Sequence, residues 1–214
     1  GLSEEETKIL WSSGALELCV ANRMIENVVG FMPIPLGIAT GLLVNGKEYL
    51  VPMATEQKSV ISTVTLGAEL IRSAGGFKAR SASSTMIGQI QLTRISDFKK
   101  ARQTILANKE NILQEANTQS RTRKAIDVET RTIETPAGPM LIVELLVDVK
   151  ESMGANVVDS MCEVVAPMVK SLSGGSVNIR VVSSLATRRL VYVETVVSGC
   201  FFEESEIIKR IVDA

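Results

Sequence analysis

The run Met140-Leu141-Ile142-Val143-Glu144-Leu145-Leu146-Val147-Asp148-Val149 is nearly unbroken in apolar character. A strand with one wet face alternates polar and apolar residues; a run this continuous predicts a central strand covered on both faces. Lys150 to Asn156 follow it. Then Val157, Met161, Val164, Met168 and Leu172 recur at helical spacing until Gly174-Gly175 ends the pattern. Working backward, Pro136-Ala137-Gly138-Pro139 makes a turn. Before it, Ile126, Val128, Thr130 and Thr132 alternate with Asp127, Glu129 and Arg131, which predicts a half-exposed strand. Phe98, Ala101, Ile105, Ile112 and Ala116 share a helical face behind a Ser96 or Asp97 cap, and Met86, Gly88, Ile90 and Leu92 mark another strand. Downstream, Val177, Ile179 and Val181 alternate, and Leu190 to Val197 is a further strand-like run. The order is β-α-β-β-α-β, the ferredoxin-like arrangement. It predicts an α+β chain with a small domain at 86–198, inserted between an N-terminal region, 1–85, and a short return, 199–214.

The N-terminal region has its own signals. Ser3 and Glu6 have capping-box spacing, so a helix opens there and the first thirty residues read as helical. Pro33 and Pro35 force an extended segment. Leu36 to Val44 and Glu48 to Val51 flank Asn45-Gly46, the dipeptide that best tolerates the positive φ angles of a two-residue hairpin. A helix from about Ser59 carries Val60, Val64, Ala68 and Ile71 on one face, and Gly75-Gly76 stops it. Near the other end, Ile207, Ile208 and Ile211 share one helical face.

Composition excludes several function classes. Lys plus Arg number 23 and Asp plus Glu 24, for a net charge of -1. No basic excess is available for a phosphate backbone, and 4% aromatic residues leave little for base stacking, so no nucleic-acid partner is expected. The chain has no histidine, and Cys19, Cys162 and Cys200 are far apart. No metal site is therefore expected, and the cysteines read as those of a reducing, cytoplasmic protein. Gly, Pro or charge interrupts each apolar stretch before it reaches membrane-spanning length. The first residues resemble neither a signal nor a transit peptide. Without histidine, Ser-His and Cys-His nucleophilic pairs are impossible within the chain.

Three segments stand out as candidates for chemistry. Glu26-Asn27-Val28-Val29-Gly30 leads into Met32-Pro33-Ile34-Pro35; read plainly, it is a helix end and an edge strand. Val51 to Ser59 reads plainly as a loop closed by an N-cap serine. Asp148 to Asn156 joins a buried strand to a helix, where backbone N–H groups can receive a phosphate. It carries neither of the usual glycine-rich phosphate motifs, so an ordinary strand-to-helix turn also accounts for it.

Taken together, these segments resemble the HMG-CoA reductase family. Met24 to Gly30 resembles its substrate-side ENVIG signature, and Pro33 to Ala39 and Asn45 to Ala54 continue the likeness. Met86 to Gln91 and Gly138 to Val143 add to it. Val147 to Asn156 resembles the strand and DAMGAN motif that receive the nicotinamide dinucleotide. The resemblance covers nearly the whole chain and is closer to the class II type. It implies reduction of HMG-CoA to mevalonate with NAD(P)H, in the mevalonate pathway. A glutamate, a lysine, an aspartate and a histidine carry that chemistry. It further implies Glu26, Asn27 and Ser59 on the substrate side, and Glu151, Met153, Gly154, Asn156 and Ser184 on the cofactor side.

The departures bear on activity. The family's catalytic glutamate lies two residues before the serine matched by Ser59, and that position is Gln57. A one-residue shift would give the role to Glu56, but Pro52 and Ser59 both argue against it. The family's lysine, aspartate and histidine have no counterpart here. A glycine-rich loop that carries an acidic ribose reader is replaced by the shorter Ser120-Arg121-Thr122-Arg123-Lys124-Ala125. Glu151 replaces the motif's aspartate, and Ser184 stands where asparagine is usual. Two expectations follow: a reductase part that is inactive alone, or a non-catalytic paralogue acting as a binding or partner subunit. Dinucleotide binding is expected to be weak or absent. Association with another copy or a longer reductase-like chain is expected, with Leu42, Leu43, Val60 and Val64 as the exposed apolar patch.

Overall fold

The computed structural model describes residues 2–12, 16–199 and 205–213. The chain divides into two compact units, Gly1–Lys78 with Glu194–Ala214, and Ala79–Val193. The architecture is mixed α+β.

The first unit begins with α1 (Glu4–Trp11), opened by the expected capping box: Glu6 N–H donates to Ser3 Oγ, and Ser3 N–H donates to the Glu6 carboxylate at 2.7 Å. The helical start is not one element. A second helix, α2 (Leu18–Met24), is separate, and residues 13–15 lie outside the described residues. Next come β1 (Leu36–Val44) and β2 (Lys47–Ala54), an antiparallel hairpin. Its turn residues, Asn45 and Gly46, have φ of 50° and 77°, as this tight connection requires. Helix α3 (Val60–Ser73) packs on β1 through Ala39, fully buried, and Ala68.

In the second unit β3 (Lys78–Ser81) is followed by β4 (Thr85–Thr93), α4 (Phe98–Ala107), α5 (Lys109–Ala116), a 3-10 turn (Asn117–Gln119) and β5 (Lys124–Ile133). Then come β6 (Met140–Asp148), α6 (Ala155–Ser173), β7 (Ser176–Val182) and β8 (Val191–Glu194). Four strands form one sheet in the order β5-β6-β4-β7, every neighbouring pair antiparallel. Helices α4, α5 and α6 cover one face. Ile90, Leu92, Leu141, Val143, Leu145 and Val147 meet Ile105, Ile112, Val158, Met161 and Val165 there. β3 and β8 pair apart from that sheet, so the run predicted over 190–197 is a short strand with a partner that periodicity did not reveal. Outside this unit, α7 (Ser205–Asp213) carries the expected isoleucines; Ile207 and Ile211 are exposed.

Four local readings are corrected. The single helix expected from residue 97 breaks at Asn108, whose side-chain amide donates to Thr104 O at 2.8 Å and competes with the helical bond. Asp97 does cap the first half, accepting from Lys100 N–H at 2.9 Å. Ile126 does not share a face with Val128. A bulge between Ala125 and Asp127 turns Ile126 outward, 51% exposed, and Asn117 bonds both backbone groups of Ala125. In α6 the fully buried row is Val158, Met161, Cys162, Val165 and Val169, rotated from the predicted Val157, Val164, Met168 and Leu172, which are half-buried. Both rows are apolar, so spacing could not choose. Gly88 chooses: a Cβ there would collide with Cys162 Sγ and lie 2.9 Å from Val158 Cγ1, so this helix face lies hard against β4. Finally, Leu42, Leu43, Val60 and Val64 are half-buried. The exposed apolar side chains of the first unit include Leu36, Ile38, Leu50, Val29 and Met32.

Candidate functional site

The candidate residues fall in both units. In the first, α2 ends at Met24 and the chain turns through Asn27, whose φ is 54°. Glu26 and Asn27 are exposed, and neither hydrogen-bonds to Glu56, Gln57 or Ser59. The turn after β2 is closed by Thr55, whose hydroxyl accepts from Gln57 N–H at 3.1 Å. Glu56 and Gln57 are exposed, leaving both side chains open to solvent. Ser59 occupies the N-cap position of α3, but its side chain makes no capping bond. Its backbone is left-handed (φ 72°), and its carbonyl accepts from Thr63 N–H at 3.0 Å and Thr63 Oγ1 at 2.8 Å. The Ser59 hydroxyl is thus free of the capping role expected of it.

In the second unit the site is the turn from β6 into α6. Asp148, the last residue of β6, accepts from Ser84 Oγ, from Lys150 Nζ and from Lys150 N–H at 3.1 Å. The Lys150 ammonium first, then the Ser84 hydroxyl and the Lys150 amide, hold its carboxyl down at about 2. These bonds seat Lys150 in a left-handed conformation (φ 56°). Ser152 closes the turn with N–H and hydroxyl both donating to Val149 O, at 3.2 and 2.7 Å. Gly154 then caps α6 at φ 77°, and no side chain caps the helix.

The first helical bond is Val158 N–H to Gly154 O. Among the described residues no acceptor takes the N–H groups of Met153, Gly154, Ala155, Asn156 or Val157. Such a row of open donors at a helix start favours an anion. Two guanidiniums border the turn. Arg123 Nε donates to Ser152 Oγ at 3.1 Å, and Arg189 donates to Ser152 O at 3.1 Å and Met153 O at 3.5 Å. Among the described residues, no carboxylate pairs with either arginine. A cavity of about 450 Å³ opens beside the turn, lined by Ser81, Ser83, Ser84, Lys150, Glu151 and Arg189.

Of the sequence candidates in this unit, Glu151, Met153, Gly154 and Asn156 fall on the turn itself. Met153 is 78% exposed, an apolar surface beside the open donors. Ser184 is exposed, in the loop after β7, and makes no hydrogen bond among the described residues. Sequence reasoning missed Asp148 as an organiser, and it missed Arg189 and Ser84. The basic pair Arg188-Arg189 was the one visible signal for Arg189. No group of three His, Cys, Asp or Glu side chains stands close enough to hold a metal ion among the described residues. No helix among them is long and apolar enough to cross a membrane.

Comparison with known proteins assigns this arrangement to a family. A family model described as hydroxymethylglutaryl-coenzyme A reductase matches residues 2–214. The reductase of Archaeoglobus fulgidus is 43% identical over 217 residues, covering 99% of this chain and 50% of that protein. That of Methanothermobacter thermautotrophicus is 29% identical over 144 residues, 64% of this chain. Among solved structures, the Streptococcus pneumoniae reductase superposes with a TM-score of 0.89 at 30% identity, over 99% of this chain and 59% of that one. A class II structure from the same organism, bound to NADPH in open conformations, gives 0.89 at 31% identity, over 99% of this chain and 52% of that one. The chain therefore spans about half the length of its curated Archaeoglobus relative. With a family model matching residues 2–214 and 43% identity over 99% of its length, the chain belongs to the hydroxymethylglutaryl-coenzyme A reductase family.

Proposed function

We propose that this chain is the part of an HMG-CoA reductase that presents the substrate-side signature and receives NAD(P)H, and that it does not turn over alone. The observation that carries the reading is the turn from Asp148 to Asn156. Its open N–H row, with the carboxylate-free Arg123 guanidinium beside Ser152, fits the pyrophosphate of a dinucleotide. The bound dinucleotide would supply hydride to an HMG-CoA thioester. Gly154, Ala155 and Asn156 would hold the pyrophosphate, and Glu151, Met153 and Ser184 belong to the same cofactor side of the reading. The second unit, by element order and sheet order, is read as ferredoxin-like. Glu26, Asn27 and Ser59 belong to the HMG-CoA side of this reading.

Gln57 supports inactivity. An amide keeps shape and hydrogen bonds but exchanges no proton near neutral pH, so the glutamate's proton-supplying role is unfilled. The same residue favours a second reading, a non-catalytic paralogue that binds or partners a longer reductase-like chain. The exposed apolar side chains Val29, Met32, Leu36, Ile38 and Leu50 support association with such a chain or a second copy. A reducing, cytoplasmic setting, read from the cysteines, belongs to the same proposal.

Binding is expected to be weak. A helix start contributes about 0.3–1 kcal/mol when exposed, whereas micromolar affinity needs about -8 kcal/mol in total. The short 120–125 loop leaves little to supply the rest. Titration of NADH and NADPH, followed by the amide resonances of residues 153–157, tests the reading. Saturation at millimolar concentration, with little preference between the two, is expected. No shift at those amides would remove the dinucleotide reading.

A further inference from the structure

We infer that Arg189 is a positioning residue for the dinucleotide turn: it anchors the Ser152 and Met153 carbonyls and so aims the turn's N–H groups at the anion. The inference rests on the dinucleotide reading above. In a trans peptide the carbonyl of one residue and the N–H of the next share a plane and point in opposite directions. Ser152 O therefore sets the direction of Met153 N–H, and Met153 O sets that of Gly154 N–H. Arg189 donates to both carbonyls, at 3.1 and 3.5 Å. The two N–H groups are thereby turned to the side away from the guanidinium, next to those of Ala155, Asn156 and Val157, which also lack acceptors among the described residues.

The backbone of the turn supplies little anchoring of its own. Lys150 and Gly154, at either end of this turn, are both left-handed. Between them Ser152 N–H bonds back to Val149 O, leaving the two following peptide planes with no backbone bond of their own. Arg123 holds only the Ser152 hydroxyl. Arg189 reaches the turn from the loop between β7 and β8, just before β8 opens at Val191. It is held there by Ala82 N–H donating to Leu190 O at 2.9 Å, and by Ser83 Oγ donating to Arg188 O at 2.5 Å. A guanidinium suits the task because its fixed fork can serve two carbonyls at once, which a lysine ammonium does less well.

The test compares wild type, Arg189→Met and Arg189→Lys as full chains, using NADPH as probe. In the free protein, the backbone amide order parameters of Met153 and Gly154 are expected to fall in Arg189→Met while those of β4 and β6 are unchanged. NADPH affinity, read from the shifts of residues 153–157, is expected to weaken about fivefold in Arg189→Met, the loss of a typical hydrogen-bonded anchor. Arg189→Lys is expected to restore part of it. Unchanged affinity and order parameters in Arg189→Met overturn the inference while leaving the dinucleotide reading intact. Absence of NADPH-induced shifts at residues 153–157 in wild type overturns both. Should Arg189→Met fail to fold, Arg189→Lys decides: affinity and order parameters equal to wild type overturn the inference.

Discussion

Replacing Gly154 with alanine separates two physical demands that meet at the start of α6. The residue is left-handed, with φ at 77°, and an added Cβ would lie 2.6 Å from Val149 Cγ1 and 2.7 Å from Val149 Cβ. Val149 is fully buried in the core, so it has no room to retreat. The left-handed backbone alone costs an L-residue about 1–2 kcal/mol. Forcing a methyl into a packed site adds about 1–3 kcal/mol. The sum, about 2–5 kcal/mol, is a large part of an ordinary domain's stability. Gly174, at the other end of the same helix, is the control: φ is 66°, but nothing lies within 4 Å of its built Cβ. Gly174→Ala should therefore lose only the first contribution. With a urea dependence of about 2 kcal/mol per molar, the midpoint should fall about 1–2.5 M for Gly154→Ala and about 0.5–1 M for Gly174→Ala. Trp11 lies in the other unit, so its fluorescence is the wrong probe; amide resonances of β4 and β6 followed through urea are the right one. Equal shifts for the two variants would refute the close approach of Val149 to the cap.

Two further outcomes follow from the titrating groups. Asp148 is held at about 2 against an ordinary 3.8. A carboxyl depressed by folding adds stability above its unfolded value, and that stability is lost as pH falls through the folded one. The second unit should therefore lose stability between about pH 4 and pH 2, and Asp148→Asn should flatten that decline in urea midpoints measured across the range. An identical pH slope in the variant would contradict the bonding of Asp148 to Lys150 and Ser84. Burial pushes the Cys162 thiol up to about 12, whereas Cys19 is exposed. A disulfide-exchange reagent at mild alkaline pH should modify Cys19 promptly and Cys162 only after denaturation, with peptide mass spectrometry locating each adduct. Equal native rates at the two cysteines would place Cys162 outside the core.

Much of the fold was legible because the strongest signals were local. The apolar run at 140–149, the Asn45-Gly46 turn and the capping groups of Ser3 and Asp97 each act within a few residues. What escaped depends on distant partners. The outward turn of Ile126 needs Asn117 to bond Ala125, and the buried face of α6 is chosen by the missing side chain of Gly88. The pairing of β3 with β8 joins segments more than a hundred residues apart. The turn from Asp148 to Asn156 was legible as a segment, through family resemblance and its place before a helix. Its internal order was not, because Ser84, Arg123 and Arg189 reach it from three other parts of the chain.

The most direct test of the account is a steady-state assay of this chain by itself, following loss of reduced-nicotinamide absorbance with HMG-CoA present and absent. With Gln57 read at the position of the family's proton-supplying glutamate, no HMG-CoA-dependent oxidation of NADH or NADPH is expected. HMG-CoA-dependent turnover by the chain alone would contradict it.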